Sequence, residues 1–158
     1  MKISCIQMDM RLGEVDCNFA HAQALIRSAA EAEHPDVVVL PETWNTGYFP
    51  ADLASTADKD GARTKEVFSA LARELNVNIV CGSVANRKAD GFYNTAYVFD
   101  RTGAVIAEYD KTHLFTYARE HEYFRPGDHT CRFTLDGKSC GLIICYDLRF
   151  PELPRSMT

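Results

Sequence analysis

No apolar run in this chain approaches the roughly 20 residues that a bilayer crossing needs. The longest, such as Val37 to Leu40 and Gly141 to Cys145, end after a few residues, so no membrane partner is expected. The N-terminal Met1-Lys-Ile-Ser-Cys-Ile-Gln-Met-Asp9 turns polar early and lacks both a long apolar region and a small-residue cleavage site, so no export is expected. Basic charge is also scarce: 17 Lys and Arg stand against 22 Asp and Glu, a formal charge of -5. Without a basic field for a phosphate backbone, no nucleic acid partner is expected. Metal-ligand spacing is missing too. There is no C-x2-C pair, and His21, His34, His113, His121 and His129 form neither H-x3-H nor H-E-x-x-H patterns, so no metal is expected.

What is present is the composition of a globular protein, 46% hydrophobic and 25% charged over 158 residues, a length suited to one domain. Six cysteines in a chain without an export signal read as free thiols, mostly small buried hydrophobes, and a cytoplasmic location is expected. Residues 2–8 read as a strand, and residues 18–32 as a helix with Asn18 as N-cap and Phe19, Ala22, Leu25, Ile26, Ala29 and Ala30 on one face. Val37-Val-Val-Leu40 is a β-branched run stopped by Pro41, as in a central strand buried on both faces. Residues 46–55 read as loop and 64–75 as a second helix. Residues 77–84 and 94–99 read as strands, the latter pairing with 105–109 across Asp100-Arg-Thr-Gly103. After an irregular stretch over 112–128, residues 131–135 and 139–145 form another hairpin across Asp136-Gly137, with Cys145 ending its second strand. The expectation is a mixed sheet with helices on one face.

Chemistry can sit in three places. Glu42, in Leu40-Pro-Glu-Thr-Trp44, leaves a buried apolar strand, a low-dielectric position suited to a general base; its plainer reading is a turn cap or a surface ion pair. Lys111, in Tyr109-Asp-Lys-Thr-His-Leu-Phe115, lies just past a hairpin among aromatics and can face inward, although a lone lysine is more often solvated. Cys145, in Gly141-Leu-Ile-Ile-Cys-Tyr-Asp-Leu-Arg-Phe-Pro-Glu152, reads as a nucleophile elbow that exposes the sulfur and frees the next backbone N–H for an oxyanion; its plainer reading is a buried strand residue.

Taken together, the blocks Pro41-Glu42-Thr43, Tyr109-Asp110-Lys111-Thr112-His113-Leu114-Phe115 and Cys145-Tyr146-Asp147-Leu148-Arg149-Phe150-Pro151-Glu152 resemble the nitrilase (carbon-nitrogen hydrolase) superfamily. Ile3-Ser-Cys-Ile-Gln-Met-Asp9, Gly82-Ser83 and Tyr93-Asn94-Thr95 extend the resemblance over the whole chain, which is most similar to the ω-amidase-like, methionine-salvage-associated branch.

The resemblance implies an α/β fold, the nitrilase-like αββα sandwich with a mixed sheet. It implies Glu42 as base, Lys111 with the Tyr146 backbone N–H as oxyanion stabilisers, and Cys145 as nucleophile. A second glutamate holding the lysine maps to Glu120, with Glu122 the nearby alternative. No cofactor is implied, the substrate is a small-molecule amide, and complete family members are implied to be homo-oligomers. Nitrile and N-carbamoyl hydrolysis remain open alternatives, as does a non-catalytic remnant or interaction fragment. With ammonium and carboxylate beside it, Cys145 in a formed site is expected to label well below pH 8. Because family members continue well past the cysteine, residues 1–158 are expected to be the N-terminal part of the domain, incomplete at the C-terminus. The second half of the sandwich should be missing, part of the sheet's apolar face uncovered, and the chain alone a poor catalyst. Pro154 is awkward for a helix starting there.

Overall fold

A computed structural model describes every residue from Met1 to Thr158. Strand β1 (Ile3–Cys5) leads through α1 (Val15–Glu33) to β2 (Val37–Val39), then through the single turn α2 (Leu53–Thr56), the short β3 (Asp58–Lys59) and α3 (Ala62–Leu75) to β4 (Asn78–Val80). Helical crossovers return the chain in the same direction, so β1, β2 and β4 lie parallel. Next come β5 (Val84–Lys88), β6 (Gly91–Phe99) and β7 (Val105–Asp110), joined by tight turns, and β6 runs antiparallel to β4, β5 and β7. The seven strands form one mixed sheet in the order β1-β2-β4-β6-β5-β3, with β7 on the second edge of β6. A separate hairpin, β8 (Cys131–Leu135) and β9 (Lys138–Leu142), precedes α4 (Glu152–Ser156).

The apolar periodicity places the layers. Phe19, Ala22 and Ile26 of α1 and Phe68, Leu71 and Ala72 of α3 bury against Val38, Ile79, Tyr97 and Phe99 on one face of the sheet. On the other face, Cys131, Leu135, Leu142 and Ile144 of the hairpin region pack on Val37, Ala96, Val98 and Tyr109. Helix, sheet and second sheet are thus three successive layers of an αββα arrangement. Cys140 and Leu142 face the first sheet, so Gly141 between them points outward, where Met157 just past α4 lies over it. The fourth layer is represented by that one turn. No helix is long and apolar enough to cross a membrane.

Several local expectations change. The first helix begins at Val15, so Asn18 is no cap: it is buried, exchanging hydrogen bonds with the Arg11 backbone and donating Nδ2 to the Asn45 carbonyl at 3.0 Å. The loop over 46–55 ends in α2, whose N-cap Asp52 accepts the Ser55 N–H at 3.1 Å. The strand expected over 77–84 breaks between β4 and β5 at Cys81-Gly82-Ser83, where Gly82 takes φ +52°. Strand β9 stops at Leu142, ahead of Cys145. Pro154 is tolerated because it lies in the first turn of α4, where no intrahelical N–H is needed.

Candidate active site

The position of Glu42 follows from a tight crossing. After β2 the chain passes Leu40-Pro41, and Gly82 is pressed so close that a Cβ there would come 1.9 Å from the Pro41 carbonyl and 2.5 Å from that of Leu40. Glycine is required on both counts, closeness and positive φ. The adjoining turn is then tied down. The Thr43 N–H donates to Ser83 Oγ at 3.0 Å, and the buried Trp44 donates its indole N–H to the Cys81 carbonyl at 2.9 Å while packing on Phe19 and Phe68. Glu42 leaves this clamp with its side chain 11% exposed.

Lys111 follows β7 directly. Its backbone N–H donates to the Asn94 carbonyl and its own carbonyl accepts the Gly127 N–H, both at 2.9 Å, and its side chain is 1% exposed. The ammonium donates to Glu42 Oε1 at 2.7 Å and to Glu120 at 2.9 Å (Oε2) and 3.1 Å (Oε1). Burial opposes the charge, but the hydrogen bonds to Glu42 and Glu120 together with their negative charges outweigh it, so the Lys111 pKa stands above the ordinary lysine value. The solvated-lysine reading therefore fails. Glu120, buried, also accepts the Phe115 N–H at 2.6 Å, whereas Glu122 pairs with Arg119 on the surface at 2.7 Å. Of the two glutamates, Glu120 is the one that meets the lysine.

Cys145 sits at a sharp bend: Ile144 is extended at φ -120°, Cys145 takes φ +46°, and a 3₁₀ turn runs to Arg149. A positive φ at a non-glycine residue is strained, and the buried carboxylate of Asp147 holds it in place. Asp147 accepts from the Ile144 N–H at 3.0 Å, the Tyr109 hydroxyl at 2.8 Å, the Thr112 hydroxyl at 3.1 Å, the His113 N–H at 2.8 Å, and contacts His113 Nδ1 at 2.9 Å. One side chain thus fastens the cysteine bend to the segment that carries Lys111. Tyr146 is the second residue of this turn, its ring 5.0 Å from that of Phe115.

Cys145, Glu42, Lys111 and Glu120 line one cavity of about 270 Å³, walled by Tyr48, Phe49, Phe115 and Ala118. Cys145 itself is exposed, unlike Cys81 and Cys131. The thiol pKa is pushed above its usual value, first by partial burial, then by the charge of Glu42; Lys111 opposes this and Glu120 adds to it. Labelling well below pH 8 is therefore not what this site supports, since one ammonium faces two carboxylates. A second, mostly apolar cavity of about 320 Å³ opens between the sheet and the hairpin, with Val39, Val80, Ala96 and Leu142 in its walls, and also reaches Glu42 and Cys145.

Two further residues touch the cluster. Tyr48, from the stretch read as plain loop, donates its hydroxyl to Glu42 Oε2 at 3.2 Å, and burial and the Glu42 charge keep it a neutral phenol. Asn94 donates Nδ2 to Glu42 Oε1 at 2.9 Å and to Glu120 Oε1 at 3.0 Å. Its place in Tyr93-Asn94-Thr95 was visible in the sequence, but its partners were not. No group of three or more His, Cys, Asp or Glu side chains is arranged to hold a metal.

Comparison with known proteins places the geometry. The carbon-nitrogen hydrolase family matches residues 2–158. The chain belongs to that family. The 2-oxoglutaramate amidase of Bacillus subtilis is 44% identical over 156 residues, covering 99% of this chain and 60% of that protein. The omega-amidase NIT2 of Homo sapiens is 31% identical over 159 residues, covering 96% of this chain and 57% of that protein. A superfamily structure from Xanthomonas campestris, with an arsenic adduct in its active site, superposes at a TM-score of 0.86 with 30% identity, covering 96% of this chain and 56% of that one. Saccharomyces cerevisiae Nit3, of branch 10 of the nitrilase superfamily, gives a TM-score of 0.86 at 27% identity, over 97% of this chain and 58% of that one. The chain spans about 60% of the length of the curated relatives it matches. In this carbon-nitrogen hydrolase chain, the three motif residues converge on one cavity.

Proposed function

We propose that this chain carries the nucleophile, base and ammonium of a cysteine-dependent amide hydrolase. The observation that carries the proposal is Lys111, buried between Glu42 and Glu120 with Cys145 on the wall of the same cavity. In this reading Glu42 takes the thiol proton as the sulfur bonds to the amide carbon, and Lys111 with the Tyr146 N–H stabilises the oxyanion. The carbon–nitrogen bond then breaks, Glu42 returns the proton to the leaving nitrogen, and ammonia departs. Water next adds to the thioester, Glu42 accepts its proton, the carbon–sulfur bond breaks, and the acid leaves as the thiol is restored. The raised thiol pKa supports this order, since a thiol protonated at rest needs a base at the moment of attack.

The proposed substrate is a small linear amide of the ω-amidase type, supported by similarity to the 2-oxoglutaramate amidase and to NIT2. The six unpaired cysteines suit a reducing setting, and the cytoplasm is the proposed one. Intact-mass measurement of the chain after exposure to amides, nitriles and N-carbamoyl compounds tests the reaction, with ammonia release measured in parallel. The expected result is an acyl adduct equal to the amide less ammonia, absent from Cys145→Ala. An amide panel giving neither adduct nor ammonia overturns it.

A further inference from the structure

Around Lys111 the charges do not balance: one ammonium meets the buried carboxylate of Glu120 and the partly buried one of Glu42, which repel each other across it. What faces both carboxylates is the side chain of Asn94, buried in β6. Its amide has two N–H groups, and Nδ2 lies 2.9 Å from Glu42 Oε1 and 3.0 Å from Glu120 Oε1. This arrangement fixes which way round the amide sits, because its oxygen turned toward two carboxylates would be repelled by both. The oxygen instead lies buried without a hydrogen-bond partner. Both donors of this amide are thereby placed on the two carboxylates. The same residue's carbonyl accepts the Lys111 N–H at 2.9 Å.

We propose that Asn94 is a positioning residue for the base: its carboxamide clamps Glu42 and Glu120 together on the Lys111 ammonium and so holds Glu42 in reach of the Cys145 thiol. This rests on the amide-hydrolase reading only in taking Glu42 and Cys145 as base and nucleophile. A neutral group with two donors is what the place demands. A cation would compete with Lys111 for the carboxylates, and a third carboxylate would add repulsion. Removing the donors frees Glu42 to swing away from the thiol.

The test is a double-mutant cycle read at the sulfur. Iodoacetamide labelling of the Cys145 peptide is followed against pH by mass spectrometry in the wild type, Asn94→Leu, Glu42→Gln and the double variant, each checked for cooperative melting. The groups facing the thiol are Glu42 past β2, Lys111 past β7, Glu120 in the turn over 120–122 and Tyr48 in the loop before α2. Since the Glu42 charge, after partial burial, raises the thiol pKa, Asn94→Leu should move the profile to lower pH and raise the rate at pH 8 roughly threefold. Added to Glu42→Gln, the same substitution should change nothing beyond about 1.5-fold. An equal effect in both backgrounds marks a merely structural role and overturns the proposal. If Glu42→Gln itself leaves the profile unmoved, the base assignment falls with it; if Glu42→Gln moves it and Asn94→Leu does not, Asn94 alone is overturned. Should Asn94→Leu not fold, Asn94→Ala is read the same way. The side-chain amide resonances of Asn94 also need no change at 94: they should shift on Glu42→Gln, and unmoved resonances overturn the clamp.

Discussion

Lys111 Nζ and Glu42 Oε1 stand 2.7 Å apart although the residues are 69 positions apart in the chain, and neither side chain is freely solvated. A buried pair of this kind contributes little over apolar packing, but breaking it leaves an uncompensated charge. Lys111→Ala strands two carboxylates, so it should destabilise the fold by about 3 kcal/mol, read as a lowered midpoint in urea denaturation. In any form of the enzyme that turns over an amide, Lys111→Ala, Glu42→Gln and Cys145→Ala should each lower kcat by at least about a hundredfold. Near wild-type turnover in one of them removes that residue from its role.

The second expectation concerns pH. Partial burial and the Glu42 carboxylate raise the Cys145 pKa, so the thiolate is scarcer at neutral pH than in a free thiol of pKa about 8.5. Alkylation of Cys145 should be slower than that of free cysteine at pH 7.5 and keep rising above pH 9, where an ordinary thiol levels off. Glu42→Gln removes both the charge and the carboxylate acceptor, so the rise should move to lower pH. A wild-type plateau below pH 8 would show Lys111 outweighing the two glutamates, contrary to the arrangement described.

Gly82 offers a structural test of how Glu42 is held. A methyl group there meets the Pro41 carbonyl at 1.9 Å, and the backbone at φ +52° disfavours any side chain. Gly82→Ala should cost about 2 kcal/mol or more and displace the Glu42 turn, lowering both the melting temperature and turnover. Ala substituted at Gly137, also at positive φ but with nothing within 4 Å of an added Cβ, should cost only the backbone strain, about 1 kcal/mol. Equal losses at the two positions would show that the crossing at Pro41 can relax.

Much of this site was legible because strand ends leave marks in sequence. The β-branched run before Pro41, the Gly-bearing turn before β7 and the hairpin at Asp136-Gly137 each set a candidate residue at the end of an apolar element. What escaped depends on segments far apart in the chain meeting. The break at Gly82 exists because Leu40 and Pro41 press on it, and the donors of Asn94 reach Glu42 across 52 positions. The resemblance already maps the lysine's second partner to Glu120 ahead of Glu122, and the irregular loop sets Glu120 on the ammonium and Glu122 on Arg119. The direction of the thiol shift is not legible for a related reason: the motifs name an ammonium near the sulfur, but only the assembled site shows its charge already divided between two carboxylates.

Asp147 carries the last expectation. Its carboxylate is fully buried and gathers donors from Ile144, Tyr109, Thr112 and His113, so it joins the bend at Cys145 to the segment after β7. Asp147→Ala leaves several of these donors unsatisfied in the interior and should cost about 3 kcal/mol. Asp147→Asn is the sharper probe. It keeps the shape, but its NH₂ end faces donors where a carboxylate oxygen stood. Whichever way the amide turns, either Oδ1's partners, Thr112 and His113, or Oδ2's partners, Tyr109 and Ile144, must yield. The cost should be about 2 kcal/mol in urea denaturation, and the strained φ at Cys145 should relax with it. Cys145 alkylation, compared at equal fractions folded, should then approach the rate of an ordinary exposed thiol. If Asp147→Asn lowers stability while the Cys145 profile stays put, Asp147 supports the fold but does not set the bend.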